Sequence, residues 1–347
     1  MRRRMTIASA AATAAGLALA GVLATGAAAE PGLGAAPVPG VAAGQTAEAG
    51  QYRPVMSDAA RRARIAVHFD LAAGQMPENI ALSPSGTAYV TFAGARQVAA
   101  VHRDGTIRTL ATLPAPADGG ASTPALGFAL TTGIVRMQDG TLYFLYASGD
   151  ARSTGLYRLE RGRSPERVAA LPANGLPNGL AFDERSKTFY IADSVLGTIS
   201  TVRAGGGRAT VWSSAPELAS TGYLGVNGIK VRDGAVWASN LDQGTIVRIA
   251  VRDGRPSGVR VLADGLVGID DFAFVGKDTD HLVAALVGQN TVVRIDRRGR
   301  ATTLLTAADG LQNPTAVAVR GAALYVTSAA YLTATDPNLI VAVAARR

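Results

Sequence analysis

The chain has 347 residues, 48% of them hydrophobic and 17% charged, which is ample material for a packed core. It contains no cysteine, which excludes a disulfide framework, a lipoprotein anchor and a thiol nucleophile. The formal net charge is +8, but three of the 34 basic residues are Arg2, Arg3 and Arg4. The others, such as Arg62, Arg163, Arg252 and Arg298, are scattered over expected turns, so the clustering of a nucleic-acid surface is absent.

Residues 1–29 read as a secretory leader. Arg2–Arg4 form a basic start, Thr6 to Ala24 is small and apolar, and Ala27-Ala28-Ala29 is a small-residue cleavage site. An uncleaved anchor is the alternative, since the run approaches spanning length. Residues 30–58, rich in Ala, Gly and Pro without periodicity, read as a flexible linker. The expectation is a chain exported from the cell, free of the membrane after cleavage.

From 59 to 347 the sequence repeats at roughly 43 to 54 residues. Each copy has a short apolar strand, a polar turn and a second strand that opens on an aromatic or apolar residue. The copies start at Glu78-Asn79-Ile80, Thr132-Gly133-Ile134, Asn178-Gly179-Leu180, Asn227-Gly228-Ile229, Asp270-Asp271-Phe272 and Thr315-Ala316-Val317. A third alternating strand recurs at Gly197-Thr198-Ile199, at Gly244 to Ile249 and at Asn290 to Ile295. Period-2 alternation with β-branched residues marks strands, and four short strands per copy is propeller spacing. The expectation is an all-β fold: a six-bladed β-propeller with four-stranded antiparallel blades, with seven blades as the rival. The last copy lacks an outer strand, and the lone upstream strand Ile65–Phe69 is expected to complete it, removing a free sheet edge.

In such a ring, equivalent positions meet at the axis. The residues heading the innermost strands are Glu78, Thr132, Asn178, Asn227, Asp270 and Thr315, none of them apolar although apolar residues follow each one. Carboxylate and amide oxygens converging on one point are hard ligands, suited to Ca²⁺ or Mg²⁺ rather than zinc or copper. Glu78, Asn178, Asn227 and Asp270 are therefore the candidate metal ligands, with Asp271 a possible further oxygen. Asn-Gly and Asp-Asp are also ordinary turn residues, and it is their recurrence at one repeat position that favours ligands. The second strands run back to the same face, which makes Asp193 and Asn240, with Thr132, candidate substrate contacts. His68, His102 and His281 fall on strands or turns away from that mouth, and no nucleophile elbow or phosphate loop is present.

Pro77-Glu78-Asn79-Ile80, Leu176 to Phe182 and Tyr190 to Ser194 resemble the regucalcin/gluconolactonase family. Val226-Asn227-Gly228-Ile229 and Gly268-Ile269-Asp270-Asp271 are more similar to the related paraoxonase and strictosidine-synthase-like propellers. The resemblance spans nearly all of residues 60 to 347. It implies a calcium-centred six-bladed propeller that hydrolyses lactones or other esters, with Glu78, Asn178 and Asn227 as ligands and Asp270 as an acidic ligand that also acts as base. Thr131-Thr132 depart from the asparagine or aspartate of regucalcin-like members, and the paraoxonase histidine pair has no counterpart. The expected activity is metal-assisted hydrolysis of a small-molecule lactone or ester by a monomer, with Asp270 or Asp271 activating water. The alternatives are a non-catalytic propeller that binds a ligand or partner, and a metal-dependent lyase.

Overall fold

A computed structural model describes residues 61–276 and 280–344. The expected leader (1–29) and linker (30–58) lie outside the described residues. Six four-stranded antiparallel sheets follow one another along the chain. Blade 1 occupies 77–112, blade 2 130–170, blade 3 177–213, blade 4 226–263, blade 5 269–305 and blade 6 314–344. Helical structure in the described residues is limited to two 3₁₀ turns, Pro216–Leu218 and Ala307–Asp309. No helix among the described residues is long and apolar enough to cross a membrane.

The first strand of each blade packs against the first strands of both neighbours, and blade 6 packs against blade 1, so the ring is closed with six blades. Blade 6 is completed by Arg61–His68, which pairs antiparallel with Asn338–Ala344. This is the expected closure, with the strand beginning four residues before Ile65. Its physical effect is to bind the two ends of the propeller in one sheet and to cover an edge that would otherwise offer free backbone groups.

Alternation along each strand divides its side chains between two flanking blades. Six apolar clusters result, one for each neighbouring pair of blades. Phe144, Ile134 and Val98 join blades 1 and 2, for example, and Phe272, Trp237 and Ile246 join blades 4 and 5. Polar side chains tie the same seams near the axis. Thr131 donates to Phe92 O at 3.1 Å, Thr132 to Pro177 O at 2.8 Å, and Ser194 to Val226 O at 2.7 Å. Ser239 donates to Asp270 O at 2.6 Å and Thr315 to Pro77 O at 2.7 Å. The seam between blades 5 and 6 is held by Asn290, whose amide donates to Leu311 O and accepts from Asn313 N. A buried hydroxyl needs a partner, and a neighbouring carbonyl left free by strand irregularity supplies one.

Chain direction sets the two ends of the ring apart. Each innermost strand starts at one end and each second strand returns to it, as the pairing of Pro177 with Asp193 and of Val226 with Asn240 shows. That end carries the long connections between blades. Among the described residues the opposite end carries hairpin turns within blades, such as Asp233-Gly234 and Asp253-Gly254.

Candidate metal centre and active site

The head of every innermost strand is irregular. Register shifts occur between Pro77 and Asn79, Thr131 and Ile134, Pro177 and Leu180, Val226 and Ile229, Ile269 and Phe272, and Pro314 and Ala316. A bulge leaves residues unpaired and re-aims their side chains, here at the position of the six polar heads. The glycines that follow three of these heads are a packing requirement rather than turn chemistry. A Cβ on Gly133 would lie 2.5 Å from Asn178 O, and one on Gly179 would lie 2.1 Å from Asn227 O. A Cβ on Gly228 would lie 2.4 Å from Asp271 Oδ1. The glycine of each Asn-Gly pair thus lets the next blade approach, directly after a buried asparagine.

Glu78, Asn178, Asn227 and Asp270 are all buried, and the electrostatic coupling of Glu78 with Asp270 and Asp271 brings blades 1 and 5 to one locus. Asn227 lies close enough to the Asp270 carboxylate to favour its ionised form. Tyr331, from the second-to-third strand loop of blade 6, donates to Glu78 Oε2 at 2.5 Å. Burial pushes the Glu78 carboxyl up to about 7, against the Tyr331 hydrogen bond, and the Asp271 charge adds to the rise. Asp270 is pushed well above the usual carboxylate range by burial and then by the charges of Glu78 and Asp271, with Asn227 and Lys230 opposing. Tyr331 is likewise raised, first by burial and then by Glu78.

Asp271 behaves differently from its neighbour. Its Oδ1 lies 2.6 Å from Lys230 Nζ of blade 4, and the pair is mostly buried. Lys230 also sits 5.6 Å from the centre of the Phe272 ring. The lysine ion-pairs Asp271 and reaches Asp270 only through its charge, so among the described residues Glu78 and Asp270 are buried carboxylates without a direct ion pair. Among the described residues no three His, Cys, Asp or Glu side chains are grouped to hold a metal, so the donor set is two carboxylates and two amides. The set fits a hard divalent cation. Two buried anions require a counter-charge, the ligand atoms are all oxygen, and the buried Asn178 side chain makes no hydrogen bond within the described residues.

The structure gives the three expected substrate contacts other work. Thr132 is fully buried and its hydroxyl is engaged with Pro177 O. Asp193 Oδ1 accepts from Leu176 N, Val195 N and Leu196 N, so it holds the segment that presents Asn178. Asn240, also fully buried, donates to Glu217 O and Ala219 O and accepts from Gln243 N. Asp193 and Asn240 thus brace the connections beside them, and Thr132 the strand head of the next blade. Thr315 is occupied in the same manner, with Pro77 O and Thr327. Asp271, expected as base or further ligand, is ion-paired with Lys230.

Sequence reasoning missed Tyr331, Tyr223, Asp242 and Lys230. Asp242 accepts from Ser220, Thr221, Gly222, Tyr223 and Leu224, fixing the connection that brings Tyr223 to the site, where Glu78 and Asp270 raise its pKa after burial does. Lys230 alone left a trace, as a charge at a position where the other copies carry Ala81, Val135, Ala181, Ala273 and Ala318.

No protein-family model matches the chain, and no curated protein matches it. Solved structures do. A gluconolactonase from Xanthomonas campestris is 16% identical with a TM-score of 0.58, covering 78% of this chain and 86% of its own. A calcium-binding protein, regucalcin, from Agrobacterium tumefaciens is 19% identical with a TM-score of 0.57, covering 78% and 92%. A virginiamycin B lyase from Staphylococcus aureus is 13% identical with a TM-score of 0.54, covering 82% and 99%. The chain is a six-bladed propeller that resembles the regucalcin/gluconolactonase-like propellers in fold, as its strand-head motifs imply.

Proposed function

We propose that this chain is an exported, metal-dependent hydrolase of a lactone or similar ester, with Ca²⁺ as the cation and Mg²⁺ as the alternative. The observation that carries the reading is the pair of buried, coupled carboxylates Glu78 and Asp270, with buried asparagines, Asn178 and Asn227, at the equivalent heads of two other innermost strands. Glu78, Asn178, Asn227 and Asp270 would hold the ion. The chemistry supplied by a bound divalent cation is polarisation of the substrate carbonyl and stabilisation of the oxyanion.

The chain's own groups do the rest. Asp270, beside the Asn227 side chain, removes a proton from the attacking water. The water oxygen bonds to the carbonyl carbon, the ester C–O bond breaks, and the proton returns to the departing alkoxide. One water and one lactone give one hydroxy acid. Tyr331 holds Glu78, and Lys230 offsets part of the Asp271 charge that bears on the ligand set. A lyase reading asks for a histidine at the mouth. His68 is on the outer strand of blade 6, paired with Asp336, and His102 and His281 flank hairpins of the opposite end. Export rests on the basic, apolar and small-residue order of residues 1–29.

A panel of lactones and esters, assayed with calcium and with EDTA, tests the reading. Turnover removed by the chelator, and lost in Asp270→Ala and Asn178→Ala along with calcium-dependent thermal stabilisation, is expected. Turnover that survives in both variants would falsify the assignment, and binding without turnover would make the propeller a binding module.

A further inference from the structure

Six of the seven apolar clusters join adjacent blades. The seventh does not. Its buried members are Ala93, Leu130, Ala147, Leu176 and Leu224, and packed on them are half-buried side chains from Met76, Leu126, Phe128, Val195, Tyr223, Leu241 and Tyr331. These residues come from blades 1, 2, 3, 4 and 6. Side chains of five blades meet only around the axis, and every one of these residues lies in or beside a strand end or connection of the end that bears Glu78. The cluster is therefore a collar around the mouth, joined to the site by the Tyr331–Glu78 hydrogen bond. Leu196 (38% exposed) and Leu332 (43% exposed) adjoin Val195 and Tyr331 and extend it towards solvent.

From this we infer that the site takes a lactone or ester bearing an alkyl or aryl group of several carbons, which the collar covers, rather than a polyhydroxylated one. The inference rests on the hydrolase reading above. Its physical basis is that the collar is apolar apart from its two tyrosine hydroxyls, and that three polar side chains beside it are committed to their own connections. Asp242 is saturated by its own loop, Asp193 by Leu176, Val195 and Leu196, and Asn240 by Glu217 and Ala219. A sugar-like substrate would bring hydroxyls against Met76, Phe128 and Leu241 with nothing to bond them, and an unpaired polar group is costly. An alkyl or aryl group would instead remove half-buried apolar surface from water. Among the described residues blade 5 adds nothing to the cluster, so the collar is a crescent open on the side that carries Asp270. The reacting carbonyl then faces the carboxylates and water, and the apolar group faces the crescent.

The test is a chain-length series on the calcium-loaded protein: γ-butyrolactone, its γ-alkyl derivatives of increasing length, and glucono-1,5-lactone. Expected is a rise in kcat/KM of about threefold per added methylene, carried by KM, with gluconolactone the poorest. Phe128→Ser and Leu241→Ser should flatten that slope at some cost in thermal midpoint. A flat series, or gluconolactone as the best substrate, overturns the inference and leaves the hydrolase reading standing. If no member is turned over, the hydrolase reading fails and calorimetric binding of the same series decides the collar: affinity that climbs with chain length supports it, and affinity independent of length overturns it. The series on the unaltered chain stands alone should either variant fail to fold.

Discussion

Six residues occupy the same place in six blades, yet they divide into two groups. Thr132 and Thr315 turn their hydroxyls to the backbone of the next blade, at Pro177 O and Pro77 O, whereas the buried Glu78, Asn178, Asn227 and Asp270 make no such seam bond among the described residues. The bulge at each strand head frees a residue from the ladder but does not decide what it does next. Side-chain reach decides it. A threonine hydroxyl sits close to its own backbone and finds the adjacent carbonyl, whereas a carboxylate or amide extends beyond the seam. On the proposed reading the ring holds four positions for ligand chemistry, beside two that serve closure.

The difference can be broken in four ways, in order of expected size. Removing the metal should expose the buried acids. Glu78 in the metal-free fold titrates at about 7 against 4.5 when unperturbed. Between these values the folded chain retains a proton that the unfolded chain has released. Stability therefore falls as pH rises from about 4.5 to about 7, by on the order of 3 kcal/mol for this group, and the raised Asp270 carboxyl adds to the fall. Calcium favours the ionised carboxylates and should shrink this loss. Denaturant unfolding at several pH values, with calcium and with EDTA, checks it, and a metal-free stability that climbs across the window contradicts it.

Gly179→Ala places a methyl 2.1 Å from Asn227 O. The expected loss is about 2 kcal/mol in a denaturation midpoint, with weakened calcium binding because Asn227 is displaced. An effect on stability alone would separate the seam from the site. Tyr331→Phe removes the hydrogen bond to Glu78 and should weaken calcium about tenfold in a calorimetric titration while the fold is retained. Thr315→Val should do the reverse. Pro77 O loses its buried donor, so unfolding is easier by about 1 kcal/mol, and calcium affinity stays as it was. A Thr315→Val chain that lost calcium instead would erase the distinction between the two groups of heads.

Much of the ring was legible because a propeller writes its architecture locally. Alternation marks strands such as Thr245–Arg252, and the recurrence of a polar head before an apolar run marks where each blade meets the axis. The closing strand was legible as a spare, although its start at Arg61 was not, since the pairing partner at Ala344 sets its length. What escaped was whatever depends on a neighbouring blade. Gly133 and Gly179 look like turn residues until the next inner strand is placed against them. Asp271 reads as a twin of Asp270 until Lys230 is seen across the seam. Asp193 and Asn240 read as open until the connections that occupy them are in place. Tyr331 and the collar come from irregular loops far apart in the chain, where no periodicity exists to read.

Calorimetric titration of chelator-stripped protein with calcium probes the shared locus itself. One ion bound per chain, with binding lost in Asp270→Ala and Asn178→Ala and kept in Thr315→Val, is the predicted result. No binding by the unaltered chain, or binding that both substitutions leave intact, would contradict the account.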